Sequence, residues 1–220
     1  MLFKFTSEGD IYMQKKSNYE IQAENAILSF PQWDHEKIAK KFNLNLDKDY
    51  LYIKFIGQNY QLNRKTGAIK KFSKNDYVSA GYNEIMSILD LFDHSKENLS
   101  LSGKWCTPNS LKGTVYGGNT NSQNTMFQKY ETFFSDNFEC LDIACEKLDG
   151  KKINEADIGY IINIFYFLPV KFLFYKPDGD FPAEIKILWD ENILDYIKFE
   201  TTFFAVFHLL ERLTELITEM

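Results

Sequence analysis

Asp178, Asp180 and Asp190 bracket the stretch Asp-Gly-Asp-Phe-Pro-Ala-Glu-Ile-Lys-Ile-Leu-Trp-Asp. Carboxylates gathered near one strand end would offer hard oxygen ligands to Mg²⁺ or Ca²⁺. The spacing is not that of an EF-hand loop, because the sixth and twelfth positions counted from Asp178 are Ala183 and Trp189 instead of Gly and Glu. Turn chemistry accounts for the same residues, with Asp178 shaping a turn and Asp180 and Asp190 bonding nearby backbone. A second pairing is Asp190 with Glu200, two carboxylates that could divide general-acid and general-base duties if their environments differ. Glu200 also opens an amphipathic run, where its charge would favour a helix N-terminus.

Trp105 and Tyr116 lie in a Ser-, Gly- and Asn-rich stretch over residues 95–123 and could wall a small ligand or anchor the loop to the core. These two aromatics and the four acids Asp178, Asp180, Asp190 and Glu200 are the candidate ligand-binding residues. Gly113, Gly117 and Gly118 could turn backbone N–H groups toward an anion, yet neither a phosphate-loop ending nor a dinucleotide fingerprint accompanies them. His208 and Glu211 stand three apart, a spacing that two metal ligands on one helix can use, but no motif supplies the remaining ligands. His35 and His94 sit in polar surroundings and read as surface residues. Cys106, Cys140 and Cys145 match neither zinc nor redox spacing and are read as reduced thiols.

A net charge of -6 and a pI near 5.2 work against a nucleic-acid partner, whose phosphates would be repelled. The first residues lack the pattern of a secretory signal, so a cytoplasmic location is the expectation. The most apolar run, 161–174, is interrupted by Asn163, Pro169 and Lys171 and is too short to cross a membrane. The length suits a single domain over residues 1–220, with a helical segment over about 1–45 packed on it. Twenty Phe and thirteen Tyr point to bulky, β-rich packing layers.

Positioning such residues requires the following elements. Helical spacing of Ile21, Ala23 or Glu24, Ile27 and Leu28 predicts a helix over 19–30 that Pro31 ends. A second helix follows from Asp34 as N-cap, with Ile38, Ala39 and Phe42 as its apolar side and Asn43 as its close. Residues 50–56, 59–62 and 68–72 read as a β-meander with turns at Gly57-Gln58 and at 64–67. Ile85, Met86, Leu89 and Phe92 define a helix over 82–92. Further helices are expected over 124–134 and 139–148. Strands over 158–168 and 170–176 are apolar enough to be covered on both faces, and 183–189 pairs back through the Pro177–Asp180 turn. A long final helix over 199–217 should present Phe203, Phe207, Leu210, Leu213 and Ile217 to the sheet. The fold class is therefore α+β, with N-terminal helices, a β-meander, mid-chain helices, an antiparallel or mixed sheet and a long C-terminal amphipathic helix.

Leu101-Ser-Gly-Lys-Trp, Tyr116-Gly-Gly, the Asp178–Asp190 stretch and Tyr196-Ile-Lys-Phe-Glu, in that order, resemble the bacterial and archaeal family called domain of unknown function 3786. Trp189 stands where that family has Phe, and Lys198-Phe199 replace Pro-Thr. The resemblance implies no established activity and no cofactor. Its members are common in anaerobes and some are fused to iron-sulfur-binding segments, which implies a redox or iron-sulfur protein as partner. Two functions follow as expectations: a non-catalytic accessory domain that binds a ligand or partner, and a small hydrolase- or lyase-like enzyme using the clustered carboxylates, with or without a divalent cation.

Overall fold

The computed structural model describes residues 18–111 and 126–220. It opens with α1 (Asn18–Ser29), a 3-10 turn at Phe30–Gln32 and α2 (His35–Lys41). Asp34 caps α2 as expected, Oδ1 accepting the Lys37 N–H at 2.9 Å, and Asn43 ends it in the left-handed region. The stripe expected on α1 is a correction. Only Ala23 is buried, while Leu28 is 69% and Ile21 43% exposed. Gln22, Glu24 and Asn25 break the stripe, so α1 meets α3 along a narrow line of small side chains. His35 is a second correction: it is buried, with Nε2 2.8 Å from the Phe30 carbonyl and Nδ1 accepting from Arg64 Nε at 3.3 Å. His94 is half-buried against the Leu194 carbonyl at 3.2 Å.

Four antiparallel strands follow in sequential order: β1 (Tyr50–Phe55), β2 (Gln58–Asn63), β3 (Ile69–Ser73) and β4 (Asp76–Ser79). The first hairpin turns on Ile56 and Gly57, both at positive φ, so its two-residue loop lies one position earlier than expected. β4 carries no strong sequence signal because its turn is made by Lys74 and Asn75, both left-handed without glycine. Gly67 is the position where this sheet meets α1. Its φ is +73°, and an added Cβ would stand 2.0 Å from the Ile27 carbonyl oxygen. Gly67→Ala should therefore cost about 2 kcal/mol or more, since the left-handed backbone alone accounts for about 1–2 kcal/mol. The expected readout is loss of amide protection along α1 with β1–β3 still protected, and unchanged α1 protection would refute it.

After α3 (Tyr82–His94) comes β5 (Trp105–Cys106), then α4 (Gln128–Asp136), α5 (Phe138–Lys147) and β6 (Lys151–Lys152). The chain completes its second sheet with β7 (Ile158–Phe165), β8 (Leu168–Tyr175) and β9 (Glu184–Asp190) and ends in α6 (Phe199–Thr218). This sheet is antiparallel throughout, in the order β5-β9-β8-β7-β6. Tyr160, Phe172 and Ile187 share one register row and one buried face. Phe134 of α4 packs edge-on against Phe172 and Phe174, each at 6.3 Å. The two sheets join where the Ile56 N–H donates to the Ile164 carbonyl at 2.8 Å and Phe55 stacks on Phe165 at 4.9 Å. A contiguous apolar core runs through both.

The expected face of α6 holds at Leu210, Leu213 and Ile217, which are buried, but Phe203 and Phe207 are only half-buried, and the buried face is wider, taking in Thr201, Thr202, Ala205, His208 and Leu209. The helix is flanked by α3, α4 and α5 as well as by the core. All three cysteines are free thiols, and burial pushes the Cys145 thiol far above its ordinary value. Among the described residues no helix is long and apolar enough to cross a membrane.

Candidate functional site: a cleft beside β9 with a buried carboxylate

The site is built on β9. Its Ile-Lys-Ile-Leu-Trp run alternates so that Ile185, Ile187 and Trp189 face the core, and the same alternation turns their N–H groups away from β8. On that outward side β5 pairs with β9 at two positions only, Trp105 with Asp190 and Cys106 with Trp189. The next residue in position to continue the ladder opposite Ile187 is Pro108, which has no N–H and instead starts a 3-10 turn. Beyond Trp189, none of the backbone hydrogen bonds outside the ladders among the described residues engages Ile187. The Ile185 N–H is taken by a side chain: Glu131 of α4 accepts it on Oε1 at 3.0 Å.

This arrangement opens a cleft of about 130 Å³ lined by Thr107, Pro108, Phe127, Glu131, Glu184 to Ile187 and Phe203. Glu131 is only 8% exposed. Burial pushes its carboxyl above the usual range, outweighing the opposing Ile185 hydrogen bond. Among the described residues its side-chain hydrogen bond is the one that Oε1 accepts from Ile185. Lys186 at the rim pairs with Glu184 at 3.0 Å and lies over the Tyr175 ring, so its charge is already matched.

Asp190 holds one wall of the cleft. It is buried and accepts four hydrogen bonds: Ser102 N–H at 3.0 Å, Ser102 Oγ–H at 3.2 Å, Gly103 N–H at 2.7 Å and Asn192 N–H at 2.9 Å. Burial alone would raise its pKa, but these donors outweigh it and hold the carboxyl below the ordinary range. The Leu-Ser-Gly-Lys-Trp segment is thus pinned to the exit of β9, and its continuation carries Thr107 and Pro108 to the cleft.

The other candidate residues separate. Trp105 shares the Asp190 face, opposite the core-facing isoleucines, where Lys171 Nζ sits 5.2 Å from its ring centroid and is held by Glu155 at 2.8 Å. Asp178 and Asp180 are exposed in the turn that leads into β9, with the backbone of Asp178 paired to Phe181. A seven-residue strand, roughly 20 Å long, lies between them and Asp190, so these acids do not gather around one cation. Glu200 is exposed in the first turn of α6, the position that favours the helix dipole. Among the described residues no group of three His, Cys, Asp or Glu could hold a metal. Tyr116 and the glycines at 113, 117 and 118 lie outside the described residues.

A second polar cluster has no signature in the sequence. Tyr60 donates its hydroxyl to Glu84 Oε1 at 2.6 Å and lies 3.2 Å from His208 Nε2. Lys71 Nζ reaches the same carboxylate at 2.9 Å, and Glu84 Oε2 accepts the Gly81 N–H. His208 stacks on Phe55 at 5.2 Å, and its Nδ1 is 3.9 Å from Glu211. Tyr60, Glu84 and His208 are each almost wholly buried. This cluster ties β2, β3, α3 and α6 together. The spacing that singled out His208 with Glu211 therefore marks a residue whose main partners come from other elements.

These features define an α+β protein of two antiparallel sheets, with a buried ion cluster in one region and a small cleft beside β9 in the other. The family model described as Domain of unknown function (DUF3786) matches residues 34–212, and the chain belongs to that family. No curated protein and no solved structure matches the chain. The matched span includes the β9 edge, Glu131 and Asp190, while α1 precedes it.

Proposed function

We propose that this chain is a non-catalytic, cytoplasmic accessory module that binds another protein through the β9 cleft. The observation that carries the reading is the form of that cleft: about 130 Å³, lined by Pro108, Phe127, Ile185, Ile187 and Phe203 together with one buried carboxylate, Glu131. Sites for small metabolites typically enclose roughly 300–1,000 Å³. A cleft smaller than that suits one side chain of a larger partner. Asp190 supports the same reading, because its four hydrogen bonds commit it to shaping the cleft wall. The family's implied association with iron-sulfur segments makes a redox protein the partner class of choice.

A photoreactive phenylalanine in place of Lys186, at the rim of the cleft, should give one discrete cellular adduct. The same group in place of Lys70, exposed on β3, should not. A parallel thermal scan with Mg²⁺, Mn²⁺, Ca²⁺ and common metabolites should leave stability unchanged. A ligand at a hundred times its dissociation constant would add about 2.7 kcal/mol. Stabilisation of that size, together with no adduct from position 186, would overturn the reading in favour of an enzyme.

A further inference from the structure

We propose that the solvent face of the first sheet is a carbohydrate-binding trough that takes a neutral oligosaccharide of hexose units. The inference goes beyond partner binding at β9 and does not rest on it. Three observations converge. The first is a cavity of about 550 Å³, well inside the roughly 300–1,000 Å³ of small-molecule sites and far larger than the cleft beside β9. Leu51, Ile53 and Phe55 of β1 face the core, so strand alternation turns Tyr52 and Lys54 to the other face, where Lys54 stands opposite Asn59 of β2. Tyr77 of β4 pairs with Phe72, and both are exposed. β1 and β4 are the two edges of this sheet, so one cavity lined by both Tyr52 and Tyr77 means that the twist curls this face into a concave surface. Asn43 and Asn45, in the link from α2 to β1, and Tyr166, in the β7–β8 turn, complete the lining.

The second is that the aromatic rings are fixed before any ligand arrives. The Tyr52 hydroxyl donates to Asp47 Oδ2 at 2.7 Å, the Tyr166 hydroxyl donates to the Phe42 carbonyl at 2.8 Å, and Phe72 braces the Tyr77 ring edge-on at 5.3 Å. Tyr166 is nonetheless 57% exposed. Rings tethered in this way offer apolar surface with little ordering left to be done on binding. The third is the polar complement. Asn43, Asn45 and Asn59 carry carboxamides, each of which donates and accepts, as a sugar hydroxyl does. A hexose lays its C–H face on an aromatic ring while the hydroxyls around its edge reach such amides. Charge decides against other ligands. Among the described residues no carboxylate lines the cavity, so a cationic ligand would meet Lys54 and no counter-charge. Lys54 is itself paired with Asp149 at 3.3 Å, and the net charge of -6 disfavours a phosphate-bearing ligand. A trough that runs from β1 to β4 takes more than one hexose ring, which selects an oligomer over a monosaccharide.

The probes are maltohexaose, cellohexaose and chitohexaose, with glucose and adenosine for comparison, each titrated into the full chain and followed by amide shifts. At least one hexasaccharide should shift the amides of Asn43, Asn45, Tyr52, Lys54, Asn59 and Tyr77 together, and should bind at least about tenfold more tightly than glucose. Tyr77→Ala and Tyr166→Ala should each weaken that binding about tenfold, whereas Tyr77→Phe keeps the ring and should stay within about twofold of the parent. Tyr77 is exposed on an edge strand, so Tyr77→Ala should melt with the parent, and its loss of affinity then reports the contact and not the fold. Absence of shifts with all three hexasaccharides, tighter binding of adenosine than of every sugar, or undiminished affinity in both alanine variants overturns the inference. The position-186 adduct should form in Tyr77→Ala as in the parent, so failure of sugar binding leaves the partner-binding reading standing, and loss of the adduct leaves the trough standing.

Discussion

Glu84→Ala should lower the stability of this protein by about 3–5 kcal/mol, the usual cost of removing one partner from a buried charged cluster. The alanine leaves the Tyr60 hydroxyl, the Lys71 ammonium and the Gly81 N–H without the acceptor they share, in a region where Tyr60 is 1% and His208 3% exposed. For a chain of this size each kcal/mol moves the melting temperature by roughly 2–4 °C, so a fall of roughly 6–20 °C is expected. Glu84→Gln should cost less, because the amide oxygen can still accept from Tyr60. A melting temperature within 2 °C of the parent for Glu84→Ala would show that the cluster is energetically idle.

The same carboxylate sets a pH dependence with a definite sign. Burial pushes the Glu84 pKa up, but the His208 charge and the hydrogen bonds from Tyr60, Lys71 and Gly81 outweigh it, and the carboxyl ends below its ordinary value. A group whose pKa is lower folded than unfolded binds fewer protons in the native state. Its contribution is fully present above the unfolded carboxylate value near 4.3 and is lost as pH falls through the folded value. Stability of the parent should therefore drop on acidification below about pH 4.3, and Glu84→Gln should flatten that part of the curve. Burial and Glu84 push the Tyr60 hydroxyl far above its ordinary range, so it stays protonated and adds no slope near neutral pH.

Which parts of this molecule were legible in the sequence follows from the range of the forces that make them. The Asp34 cap, the apolar spacing of α3 and the β8–β9 hairpin depend on residues close in sequence, and their patterns are visible directly. The α6 face was legible at Leu210, Leu213 and Ile217 but not at Phe203 and Phe207, because several helices pack alongside it and bury Thr201, Ala205 and His208 as well, which an apolar stripe alone does not mark. The Glu84 cluster was invisible because its members stand 24 and 148 residues apart where Tyr60 meets Glu84 and His208. Glu131 reads as one polar residue in Gln-Lys-Tyr-Glu-Thr, and only the tertiary placement of α4 against β9 buries it. Trp105 and Asp190, both singled out in the sequence, face each other across β5 and β9. Asp178 and Asp180 were grouped with them by nearness in sequence, although a fully extended strand is the element that separates its two ends most.

Asp190→Ala is the substitution expected to join the stability of the fold to the binding cleft. Each of its four acceptor bonds serves a part-buried donor, and a buried donor left unpaired costs about 1–3 kcal/mol, so a loss of about 4 kcal/mol is expected with partial compensation by water. The damage should be directional. With Ser102 and Gly103 released, β5 is left with its short backbone pairing to β9 and the Glu191 N–H bond to the Lys104 carbonyl, so amide protection from Ser102 to Cys106 should vanish before that of β7 and β8. Trp105 would leave its place under Lys171, and its emission should shift to the red. Asp190→Asn offers one acceptor oxygen but turns an NH₂ toward N–H donors, so it should fall between the parent and the alanine variant. Because the released segment carries Thr107 and Pro108, the position-186 adduct should weaken in Asp190→Ala at a temperature where the rest of the chain is still folded. Retention of that adduct alongside the loss of Ser102–Cys106 protection would mean that the other walls of the cleft suffice without that segment. Unchanged protection of the segment would mean that Asp190 does not hold it.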